Sequence, residues 1–143
     1  MKKTLKTFLF AIVFVAFFMA FTRFTGRNTI SIDFGENALT LYAPKDYTIS
    51  MEYDRIQSLE LVELPEDIGS TLSGDENRRY SWGERENATW GTYTLCVSKK
   101  IDVAILVTTY NNEIFIYNFE SDDTTTSMLQ MFTELLAHRE ATA

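Results

Sequence analysis

The stretch from Trp90 to Phe119 constrains the fold most. It reads as three apolar segments, WGTYTLCV, IDVAILVTTY and NEIFIYNF, cut by Lys99-Lys100 and Asn111-Asn112. Short runs rich in β-branched and aromatic residues, separated by turn-formers, are the pattern of consecutive antiparallel strands, and the simplest reading is a meander. In the middle segment Ile101, Val103, Ile105 and Val107 share one face, while Ala104 and Leu106 make the other face apolar too. A strand apolar on both faces must be covered on both. The next segment supplies a cover. Met128, Leu129, Phe132, Leu135 and Leu136 recur at the 3.6-residue period of one helix face between Thr124 and Arg139, behind an Asp122-Asp123-Thr124 start that offers cap oxygens and negative charge.

Upstream, period two dominates. Ile30, Ile32 and Phe34 alternate with polar neighbours, Gly35-Glu36-Asn37 forms a turn, and Leu39 and Leu41 belong to a partner strand. After Ala43-Pro44-Lys45-Asp46, residues Tyr47, Ile49, Met51 and Tyr53 alternate again, and Ile56 to Val62 resumes past Asp54-Arg55. Seven strands are thus expected, at 29–34, 38–42, 46–52, 56–63, 89–97, 101–108 and 112–119. Residues 66–88 lack hydrophobic periodicity, and a loop that long inside a domain is either functional or hides a short element. It gathers Arg78, Arg79, Tyr80, Trp82 and Arg85, the Arg-with-aromatic composition enriched at binding hot spots, and these five are the candidate binding residues. Against that reading, Glu76, Glu84 and Glu86 could neutralise the arginines locally and Trp82 could simply lid the core.

The first 26 residues form a separate segment, followed by one domain over 27–140. Lys2, Lys3 and Lys6 precede FLFAIVFVAFFMAFT, and no charge occurs from Thr7 to Thr22. Sixteen uncharged residues make roughly 24 Å of helix, between a signal-peptide core and a full span, and flanking Lys6 and Arg23 can reach the two interfaces. Ala20-Phe21-Thr22 is a poor cleavage site, so an uncleaved single-pass anchor is expected. Its more basic amino-terminal flank stays in the cytoplasm, and the domain lies outside the cell membrane.

Charge narrows the partners. All 20 acidic residues lie after Arg23, and residues 24–143 hold nine basic ones, a formal −11. Nucleic acid is therefore not an expected partner. Cys96, the single cysteine, sits in an apolar strand where an inert buried thiol is usual. His138, the single histidine, falls in the last turns of the helix, where a cation is favoured by the dipole. Asp75-Glu76 and Asp122-Asp123 lack the spacing of a metal loop. No catalytic constellation, metal site or cofactor motif is found.

Several stretches look like a known family: the alternating SIDFGENALTLYAPKDYTIS, Tyr53-Asp54-Arg55-Ile56, Glu63-Leu64-Pro65, Trp90-Gly91-Thr92-Tyr93, and IFIYNFES before the helix. Over residues 29–137 the chain resembles the bacterial pleckstrin-homology (PH) domain proteins that carry an N-terminal membrane helix. The resemblance implies a mainly β fold, a PH-like split barrel of seven antiparallel strands closed by one C-terminal α-helix. In lipid-binding relatives basic residues about the first hairpin hold the phosphoinositide. Here Lys45 stands alone among Asp33, Glu36 and Asp46, so phosphoinositide binding is not expected. The function expected is a membrane-anchored, non-catalytic binding or scaffold module with a protein partner. The alternative is a carrier or sensor of a small ligand or peptide at the open end of the barrel.

Overall fold

Alternation of apolar and polar side chains makes three strands of the upstream region, β1 (Ser31–Phe34), β2 (Ala38–Ala43) and β3 (Tyr47–Glu52). They pair antiparallel in the order β1-β2-β3. The computed structural model describes residues 29–142. The expected anchor lies outside the described residues, as does Ala143. Among the described residues no helix is long and apolar enough to cross a membrane.

A single turn of 3₁₀ helix, Tyr53–Arg55, leads into β4 (Ile56–Glu63). There follow β5 (Ser70–Thr71), β6 (Asp75–Glu76), β7 (Tyr80–Asn87), β8 (Gly91–Ser98), β9 (Val103–Thr109) and β10 (Ile114–Tyr117). These seven build a second sheet in the order β4-β9-β10-β8-β7-β5, with β6 also on β7. The protein is mainly β, two sheets and a C-terminal helix, α1 (Asp122–Thr142).

Ten strands replace the expected seven, and the extra ones come from residues 66–88. That region is not a loop: β7 pairs with β8 over eight residues, from Tyr80 opposite Ser98 to Asn87 opposite Gly91. The meander is also corrected. β8 and β9 are not neighbours, because β10 lies between them, antiparallel to β9 and parallel to β8. The four residues joining β8 to β9 can span the roughly 10 Å of two strand spacings. Asn118, fully buried just past β10, fixes the arrangement. Its Oδ1 accepts from the Ser98 amide at 2.7 Å, and its Nδ2 donates to the carbonyls of Ser98 and Ile101, both at 3.3 Å.

Both faces of the second sheet are covered, as the apolar middle segment demands. Ile105 and Val107 of β9 join the first core with Leu39, Leu41, Trp82, Tyr117 and Phe132. Ala104 and Leu106 join the second, with Tyr93, Leu95, Val97 and Ile116. Leu64 and Ile68 pack on this second core, and the chain that bears them runs from one edge of the sheet to the other. Residues 64–69 therefore form a strap across this face, bent where the Gly69 amide donates to Asp67 Oδ1 at 2.8 Å. The strap is tied by Leu64 N–H to the Asp102 carbonyl at 2.7 Å and by the Tyr93 hydroxyl, which donates to the Ile68 carbonyl.

The helix begins one residue earlier than the acidic pair suggests, since its cap is Ser121. Ser121 Oγ accepts from the Thr124 amide at 3.0 Å. Its apolar face meets the first core as the period predicts, through Phe132, Met128, Leu129, Leu135 and Leu136.

β5 and β6 are two pieces of one interrupted strand, both antiparallel to β7, and the segment between them lies against β7 closely enough to require glycine on both sides. Gly83 has φ +111° and Gly74 φ +84°. A Cβ on Gly83 would run into the carbonyl of Ser73 and the Cα of Gly74, backbone that cannot step aside. Gly83→Ala is therefore expected to destabilise the protein by about 2–3 kcal/mol through strain and overpacking. It should also speed hydrogen exchange of the Leu72 amide, which donates to Glu84 at 2.9 Å. Unchanged urea unfolding and unchanged exchange would show that the segment between β5 and β6 does not rest on β7 in this way.

Candidate functional site

The five candidate binding residues do not form one surface. Alternation along β7 sends Tyr80 and Trp82 into the first core, where Trp82 is 2% exposed. Arg85, three residues on, points to the opposite face and is also buried. Only Arg78 and Arg79, in the turn before β7, are exposed. This turn is shaped by Asn77, whose Oδ1 accepts from the amides of Arg79 and Tyr80, each at 2.8 Å.

What the structure adds is a second turn beside the first. The Lys99 amide donates to the Arg79 carbonyl at 2.7 Å, which brings Lys99 and Lys100 of the β8–β9 connection next to Arg78 and Arg79. Lys45, from the β2–β3 turn, reaches the same corner and bonds to Asp75 of β6. Lys99 pairs with Glu76 at 3.0 Å. Lys45 holds the Asp75 carboxyl below the usual carboxylate range, first by its hydrogen bond and then by its charge. Arg78, Arg79 and Lys100 form no ion pair among the described residues. Residues 29–142 hold eight basic and 20 acidic side chains, so five of eight cations sit at one corner of a strongly acidic body. Lys99 and Lys100 were legible in the sequence only as a turn; their place beside Arg79 depends on the β7–β8 pairing.

A cleft opens at the C-terminal end of the helix, about 510 Å³ in volume and lined by Tyr53, Asp54, Ile56, Tyr110, Leu136 and Arg139 among others. Arg139 closes one wall. Its guanidinium lies 4.8 Å from the Tyr53 ring centre, donates to the Glu36 carbonyl at 2.6 Å and stands 3.9 Å from Asp54. Burial raises the Tyr53 phenol above its ordinary range, and the charge of Arg139 opposes that rise. Tyr110, 66% exposed, offers the cleft an open aromatic face.

The remaining reactive groups are inert by burial. The Cys96 thiol is pushed up to about 12 by loss of solvent, which removes the thiolate at neutral pH. Tyr117 is raised for the same reason. Among the described residues no His, Cys, Asp and Glu group is arranged to hold a metal. No family model matches the chain, and neither a curated protein nor a solved structure matches it.

Proposed function

We propose that the protein is a non-catalytic binding module of PH-like build. In this reading an N-terminal single-pass anchor holds it at the outer side of the cell membrane, and it receives an acidic protein partner at the basic corner. The observation that carries the binding site is the set of three exposed cations without an ion pair among the described residues, Arg78, Arg79 and Lys100, on a domain that is otherwise acidic. Opposite charge speeds encounter and fixes register more than it adds affinity, so such a corner suits a reversible partner. Two sheets that share the first core, with the C-terminal helix laid into it through Phe132, support the PH-like part. The split-barrel detail rests on the resemblance of residues 29–137, with β5 to β7 and the parallel β8/β10 pair as additions.

The corner also lies where an anchor would join. Ser31 of β1 pairs with Tyr42 of β2, so the chain enters the domain beside the β2–β3 turn that carries Lys45. A partner at this corner would be close to the membrane. A photo-crosslinker at position 102, exposed in the same connection, should give in intact membranes a protein adduct that Arg78→Ala with Arg79→Ala abolishes. The melting temperature should barely move, because exposed substitutions stay within roughly 0.5 kcal/mol. An adduct that survives the double substitution sinks the proposal.

The second reading, a small-ligand or peptide carrier, is supported by the cleft at Tyr53 and Tyr110. Its volume falls within the range of ligand pockets, about 300–1,000 Å³.

A further inference from the structure

Arg85 is 3% exposed and forms no ion pair among the described residues. Its Nη1 donates to Thr71 Oγ1 and its Nη2 to Ser81 Oγ at 2.6 Å, both neutral hydroxyls. Its Nε is buried without any acceptor. A guanidinium cannot shed its proton, so the positive charge stays, and burying it uncompensated is costly. The acid whose charge reaches neighbouring Tyr93, Asp67, gives its Oδ1 to the Gly69 amide at 2.8 Å. Glu84 and Glu86 alternate onto the other face of β7 and are exposed.

The two hydroxyls bonded to Arg85 have donors to spare, and among the described residues no carboxylate stands within ion-pair distance of the guanidinium. Thr71 and Ser81 accept from the guanidinium, so each keeps its own O–H to donate, and among the described residues neither hydroxyl has a further partner. Asn87 shares the face of Arg85, two residues along the strand. Its Oδ1 takes the amides of Thr89 and Trp90 at 3.1 and 2.8 Å, leaving Nδ2 buried without an acceptor. β5 is the outermost strand here, two residues long, and its exposed Thr71 is one of the two groups bonded to the guanidinium.

We infer that the Arg85 cluster is a binding site for a small oxyanion, a carboxylate or a phosphate, admitted past the short edge strand β5. An oxyanion would supply the missing negative charge. It would also accept from Nε–H and from the hydroxyls at once, the side-on geometry guanidinium offers to planar or tetrahedral oxygens. This site is separate from the basic corner and does not depend on how the corner is used.

The test is thermal unfolding of the full chain in non-ionic detergent at neutral pH. Sodium phosphate or sodium acetate replaces sodium chloride at constant ionic strength. Ligand at ten times its dissociation constant should raise the melting temperature by roughly 5 °C, and above that constant the rise should follow the logarithm of the ligand concentration. Phosphate alone, acetate alone or both acting supports the site and identifies its preferred class. Arg85→Met should lose the shift. Should that variant not fold, Thr71→Val, which removes one donor on an exposed strand, should weaken the apparent affinity several-fold. A wild-type shift no larger than in chloride overturns the inference, as does a phosphate or acetate shift that persists undiminished in the variants.

Discussion

Phe132→Ala is expected to lower the free energy of unfolding by about 3–5 kcal/mol, the range for deleting a fully buried aromatic side chain. The ring is 0% exposed and is the point at which the helix enters the first core. It meets Phe34 edge-on at 5.7 Å and Tyr53 at 6.2 Å, so one side chain ties α1 to the first sheet and to the 3₁₀ turn. Contact with Phe34 and Tyr53 also limits how far the site can collapse after truncation, which places the loss toward the upper part of the range. Urea unfolding of the purified protein measures it. A loss under about 1 kcal/mol would mean that the helix is not part of the core.

Trp82→Ala should cost a similar 3–5 kcal/mol, and should do so without touching the basic corner. The indole packs in the first core beside Tyr80 and Cys96, its cross-strand partner on β8. Comparison with Arg78→Ala plus Arg79→Ala, which should leave stability nearly unchanged, divides the arginine-aromatic cluster into a structural part and a surface part. If Trp82→Ala left stability intact and abolished partner binding, the division would be wrong and Trp82 would belong to the interface.

The sequence by itself determined a good deal. Period two over 31–52 made three strands, because a sheet with one covered face needs that alternation. The apolar middle segment at 103–109 demanded cover on both faces, and the 3.6-residue spacing of Met128 to Leu136 named the helix that helps provide it. Burial of Cys96 was legible for the same reason. Strand β7 was not legible. The face that carries Tyr80 and Trp82 turns acidic at Glu84 and Glu86, and the opposite face carries Ser81, Gly83 and Arg85 where apolar residues would have given the pattern away.

Only the tertiary structure decided which strands are neighbours. Local rules favour pairing β8 with β9, since consecutive segments usually lie side by side. Asn118 decides otherwise, because its buried amide finds partners only at Ser98 and Ile101, on either side of the gap that β10 fills. The same pairing of β7 with β8 splits the candidate cluster: it buries Tyr80, Trp82 and Arg85 on two faces, leaves Arg78 and Arg79 outside, and sets Lys99 and Lys100 beside them. Sequence proximity had gathered five residues into one site, but a strand sends alternate side chains to opposite faces. Which of them reach solvent is fixed by what covers each face.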